Sequence, residues 1–207
     1  VRLSGEKLLH VSALSCLVEV RGDLSVDDTQ VTVLSLPLLT LVGGDVSVTG
    51  NEALTTLTLS AVTSIAGDFS VSDNEALTGF DVSNLAESCG MVTFNGHPNI
   101  EQLNFPVLVT AGGLNVGNNE LLTDVNALVL QTVKGDFTIG NQALVADLSF
   151  PALTTVDGTV TLVFMETLVD ISFPVLQTAG GMYINSLELP TSLLFPALTS
   201  VTEDLWI

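Results

Sequence analysis

The feature that most constrains this chain is a period. Segments opening at Gly22, Gly44, Gly67, Gly90, Gly112, Gly135, Gly158, Gly180 and Glu203 align, with Gly-Asp-Leu-Ser-Val at 22–26 and Gly-Asp-Phe-Thr-Ile at 135–139 as examples. The spacing is 22 or 23 residues throughout and covers the 207-residue chain. A unit of that size cannot bury its apolar face alone, so the copies must stack as one quasi-one-dimensional array over residues 1–207.

Within a copy, apolar residues flank one polar residue, as in Leu24-Ser25-Val26 and Phe137-Thr138-Ile139. This alternation marks a short strand with one wet face. A second run follows, as over 168–176, and ends on Phe-Pro at Phe105-Pro106, Phe150-Pro151, Phe173-Pro174 and Phe195-Pro196. These phenylalanines are expected to stack inside, with each proline setting a corner because it has no amide to offer a ladder. Between the strands lie Gly50-Asn51, Asp73-Asn74, Asn118-Asn119 and Gly140-Asn141, types that tolerate left-handed backbone and cap turn amides. They read as a partial asparagine ladder. The sum is an all-β chain: a parallel β-solenoid of about nine coils of 22–23 residues. A leucine-rich-repeat horseshoe with helices is the alternative, and its helices are disfavoured by β-branched, glycine-rich connectors.

Charge narrows the partners. There are 23 acidic against 4 basic residues, a formal charge of -19, and beyond Arg21 the one basic side chain is Lys134. No patch can neutralise phosphates, so nucleic acid and anionic membrane are poor partners. The longest uncharged stretch, 102–119, carries a proline and several glycines, so no membrane insertion by a spanning helix is expected. Cys16 and Cys89 fall about three coils apart, too far to pair within the chain, and read as small buried thiols. His10 and His97 fall about four coils apart. A two-histidine metal site or a His-centred triad therefore has no support, and each reads as a lone surface or turn histidine.

The stretches Phe-Pro-Ala-Leu-Thr-Thr-Val-Asp-Gly at 150–158, Phe-Pro-Ala-Leu-Thr-Ser-Val at 195–201, and Asn-Glu-Ala-Leu-Thr at 51–55 and 74–78 resemble the receptor L domain. That family includes ligand-binding domains of growth-factor receptors and similar repeats of fungal and microbial surface proteins. The resemblance covers nearly the whole chain and implies a right-handed solenoid used for recognition at the cell surface or outside the cell. No catalytic residue travels with it. The chain lacks the cysteine-rich modules of the animal receptors, so a microbial surface protein is the nearer analogue.

Three polar columns are candidate sites. Asp23, Asp45 and Asp68 recur in successive coils beside the turn glycine. Stacked carboxylates repel, so a bridging calcium ion is one reading, and acceptance of local turn amides is the other. Asp124, Asp147 and Asp170 open the second strand, followed two residues on by Asn126, Ser149 and Ser172, and could line a ligand face. The carboxylates could also serve a glycosidase, but a flat repetitive face offers little burial to raise a carboxylate's pKa, so no enzyme is expected. Thr110, Thr132, Thr155 and Thr178 form a threonine row on the same candidate ligand face, which invites an ice-binding reading. The outward column of the first strand runs Ser25, Ser47, Ser70, Thr93, Asn115, Thr138, Thr161, Tyr183, Trp206.

The chain opens and closes on the register of the first strand, at Val1-Arg2-Leu3 and Leu205-Trp206-Ile207, without a polar cap. Exposed strand edges invite self-association. The expectation is a segment of a longer solenoid, or ends covered by a partner or by a further copy. Function is expected in the faces: a non-enzymatic binding or adhesion module with a protein or glycan ligand and no cofactor beyond calcium. An ice-binding solenoid and a self-assembling filament subunit are the alternatives.

Overall fold

The computed structural model describes residues 1–5, 8–187 and 192–207. Its strands pair in parallel with their equivalents one coil away: Leu24 with Val46, Val46 with Phe69, Leu114 with Phe137. The result is a parallel β-solenoid of about nine coils. Among the described residues the one helical segment is the 3-10 turn Ser12–Leu14, so the helical horseshoe is set aside.

One long sheet runs the length of the stack. It includes Arg2–Gly5, Leu24–Thr29, Val46–Thr49, Phe69–Ser72, Glu87–Asn95, Thr110–Gly117, Phe137–Gly140, Thr155–Met165, Thr178–Leu187 and Leu205–Trp206. The second run of each coil builds three smaller sheets: Val33–Ser35 with Thr56–Thr58 and Gly79–Asp81; Gln102–Asn104 with Asp124–Asn126; and Asp147–Ser149 with Asp170–Ser172 and Ser192–Leu194.

Local chemistry explains each bend. Along Val46–Thr49 the valines are buried and Ser47 and Thr49 half-buried, the alternation of a strand with one wet face. Strand one then ends on a left-handed residue. Asp28, Gly50, Asp73, Gly96, Asn118 and Asn141 have φ between 53° and 76°, a conformation that only glycine and the short polar residues adopt routinely.

The Phe-Pro corners are i to i+3 turns. Leu108, Leu153, Leu176 and Leu198 donate to Phe105, Phe150, Phe173 and Phe195, with proline second in each turn, where its fixed φ fits. The phenylalanines stack along the axis as expected, Phe150 on Phe173 at 5.4 Å and Phe173 on Phe195 at 5.3 Å, with interplanar angles of 16° and 14°. Burying each of Phe105, Phe150 and Phe173 contributes about 1.5–3 kcal/mol. The interior is one continuous apolar cluster from Val11 to Ile184.

Candidate functional site

The acidic column beside the turn glycine is a ladder between coils. Asp23 Oδ1 accepts the Asp45 amide at 3.0 Å, Asp45 Oδ1 the Asp68 amide at 2.8 Å, and Asp68 Oδ1 the Met91 amide at 2.8 Å. Asp136 Oδ1 does the same for Thr159 at 2.9 Å. The sequence left a bridging calcium ion and local turn amides as the two readings; the amide bonded by each carboxylate lies one coil on. This bond brings each carboxylate against the next turn, where a Cβ on Gly44, Gly67, Gly90 or Gly158 would overlap the Oδ1 of Asp23, Asp45, Asp68 or Asp136. The aspartate is one part of the crowding: backbone atoms of the preceding turn also lie within 3.0 Å of each added Cβ, and Gly112 and Gly180, which follow coils with Met91 and Thr159 in the aspartate position, would meet backbone carbonyl oxygens at 2.2 and 2.4 Å. Where Gly181 holds the aspartate position, the next coil has Glu203 in the glycine position. Among the described residues no three His, Cys, Asp or Glu side chains gather in a metal-binding cluster.

A second ladder is buried. Thr29, Asn51, Asn74, His97, Asn119 and Gln142 occupy successive coils, all without exposed surface. Asn51 Oδ1 accepts from the amide and hydroxyl of Thr29, at 3.0 and 2.6 Å, and Asn51 Nδ2 donates to the Val26 and Thr49 carbonyls. Asn74 repeats the pattern one coil on, accepting the Asn51 amide at 3.1 Å and donating to Val48 and Ser72. These groups close the corner where the ladder carbonyls diverge. Two details correct the sequence reading. The ladder residue of the sixth coil is Gln142, not Asn141, which is the exposed left-handed residue before it. His97 is a buried rung and not a surface histidine, with Nδ1 3.3 Å from the Asn74 carbonyl and Nε2 3.1 Å from the Val71 carbonyl. Burial pushes its imidazole below the usual range, against the opposing pull of both carbonyls and the Asp73 charge. A constant seven-residue offset from the repeat glycine to the rung, Gly44 to Asn51 and Gly135 to Gln142, was the available signal for both.

The outward columns lie in register. On the long sheet Ser25, Ser47, Ser70, Thr93, Asn115, Thr138, Thr161, Tyr183 and Trp206 are consecutive cross-strand partners. The threonine row is also continuous: Thr110 pairs with Thr132, Thr132 with Thr155, and Thr155 with Thr178, all half-buried, with Glu87 before them and Ser200 after. On the smaller sheets Asp147 pairs with Asp170, while Asp124 pairs with Gln102 on its far side; all three aspartates are exposed. The column is thus divided between two sheets, with Asp124–Asn126 lying beside Asp147–Ser149.

Sequence reasoning placed Tyr183 and Trp206 in the outward column but missed Phe164 beside them. Phe164, Tyr183 and Trp206 are exposed in three successive coils at one end of the long sheet. Phe164 has φ 53°, so it holds the left-handed position where the preceding coils have Asp, Gly or Asn. Cys16 and Cys89 are free and exposed, not buried. His10 is exposed, as expected.

The architecture defines the class as a parallel β-solenoid repeat protein. No family model, curated protein or solved structure matches the chain.

Proposed function

We propose that this chain is a non-enzymatic binding or adhesion module that works at the cell surface or outside the cell and presents solenoid faces to a protein or glycan ligand. The observation that carries the reading is the strict lateral register of the outward columns, which repeats one polar or aromatic side chain per coil over the length of the long sheet. Among the described residues, recesses that hold carboxylates, of about 220 to 490 Å³, are open to solvent. Such a surface suits an extended ligand more than a reaction that needs an enclosed acid. The repeat's resemblance to receptor L domains of microbial surface proteins supports the same reading.

The test is a binding screen of the intact chain against arrayed glycans, extracellular proteins and whole cells. Saturable binding that falls when Ser47, Ser70 and Thr93 are replaced together by lysine supports it. Absence of binding to every surface refutes it.

The threonine row favours a second reading, ice binding. Thr132 with Thr138 and Thr155 with Thr161 place two hydroxyl columns on neighbouring segments of the long sheet. Thermal hysteresis that disappears in Thr132→Leu with Thr155→Leu would favour it over adhesion. Sedimentation on the same samples tests the filament reading, which requires polymers that grow with concentration.

A further inference from the structure

We infer that Phe164, Tyr183 and Trp206 form a binding site for a neutral polysaccharide. The inference rests on the binding-module reading and names its ligand class. Tyr183 and Trp206 are cross-strand partners in one outward column, and Asn185, whose Nδ2 donates to the Tyr183 hydroxyl at 2.9 Å, pairs with Val163 beside Phe164. The three rings thus share one end of the long sheet, in consecutive coils.

Phe164 is the sharpest sign that this end is used. An L-residue with a bulky side chain is disfavoured at φ 53°. Burial does not compensate, because the residue is 58% exposed. A strained aromatic side chain held in water points to a role outside the fold.

The surroundings select the ligand. Tyr183 and Trp206 separate two recesses, one of about 440 Å³ bounded also by Ile184 and Asn185, the other of about 220 Å³ bounded by Thr159, Glu203 and Asp204. Ring faces accept the apolar face of a pyranose, and the rim supplies acceptors for its hydroxyls. The chain's formal charge of -19 and the two rim carboxylates repel sulfated or uronate chains. A dry protein interface would strip water from Glu203 and Asp204 without replacing their hydrogen bonds, which is costly. A neutral glycan covers the rings and satisfies the rim together.

The test is depletion of the intact chain onto insoluble cellulose, chitin, β-1,3-glucan and mannan, with polyuronate as the anionic comparison. Retention on at least one neutral polymer is expected, weakened about tenfold or more by Tyr183→Ala and by Trp206→Ala. Phe164→Asn separates fold from function. Asparagine suits this backbone, as Asn118 and Asn141 show, so melting temperature should rise while retention falls. Retention unchanged in all three variants overturns the site, as does preference for polyuronate. Binding of the chain to cells or proteins, with none to a neutral polymer, overturns the site and leaves the module reading standing. Binding to nothing removes both.

Discussion

Acidification should weaken the fold through one buried side chain. Both ring nitrogens of His97 face backbone carbonyls, and a neutral imidazole can donate to only one of them. A second proton would satisfy the other, yet burial opposes the charge and lowers the pKa overall. The sign follows. Well above the ordinary value of 6.5, folded and unfolded chains both hold a neutral ring and stability is complete. Below it the unfolded chain takes up a proton that the folded chain resists, so stability falls as pH falls toward the lowered folded value. Each pH unit in that window costs about 1.4 kcal/mol.

Between about pH 7.5 and 5.5 the loss is therefore at most about 1.4 kcal/mol, a tenfold change in the folding equilibrium. The comparison is His97→Asn. An asparagine there occupies the rung held by Asn74 one coil earlier, where Oδ1 accepts the neighbouring rung's amide, and it does not titrate. Losing the packing of the imidazole on Phe94, at 4.3 Å between rings, costs about 1–2 kcal/mol at every pH. That offset leaves the slope untouched. Urea unfolding followed by circular dichroism at both pH values, on both proteins, measures the difference in slope and subtracts the many carboxylates. Parallel losses in the two proteins, or a smaller loss in the natural one, would falsify the assignment of the acid sensitivity to His97.

Other outcomes follow from the ladders. Asn51→Ala leaves the Thr29 amide and the Val26 carbonyl without side-chain partners in the interior; at about 1–3 kcal/mol for each, a loss of about 3 kcal/mol in chemical unfolding is expected. Gly67→Ala should lower the melting temperature sharply, and adding Asp45→Gly should recover only part of it, because the Gly44 carbonyl carbon also lies 2.8 Å from the added Cβ. Full recovery would show that the side chain alone sets the requirement. Calcium and chelator should give the same melting temperature, since the Asp23, Asp45 and Asp68 carboxylates each already bond an amide of the next coil; a rise with calcium refutes this.

The period was legible because stacking fixes coil length, and a one-residue slip would turn every apolar side chain outward. The Phe-Pro corners were legible for a related reason: the missing amide and the large ring each permit few positions. The corner after the first strand was harder to read. It needs one left-handed residue and one buried amide in succession, and asparagine serves either need, so Gly140-Asn141-Gln142 could be read a residue too early. His97 was hidden because a histidine in a polar turn looks solvated, and its burial depends on carbonyls contributed by the coil before. Those carbonyls belong to Val71 and Asn74, more than twenty residues away. Phe164 carried no signal beyond its departure from the column of Asp, Gly and Asn at the same offset. The columns were readable from the spacing, but what they bind is set by surface chemistry that repetition does not encode.

The aspartate-to-glycine contact also gives the array a grammar. At this contact each coil crowds the one that follows it, so the units are not interchangeable parts. The coil that opens at Glu203 can follow one with glycine at the second position, as at Gly181, but transplanted behind Asp45 it would collide with that carboxylate. Loss of an aspartate does not by itself free the next coil's glycine, because Gly112 and Gly180, which follow Met91 and Thr159, still have backbone carbonyl oxygens 2.2 and 2.4 Å from an added Cβ. In an array that grows by copying coils, the glycine is therefore held by two neighbours at once, a carboxylate and the backbone behind it, and losing the first leaves the second in place.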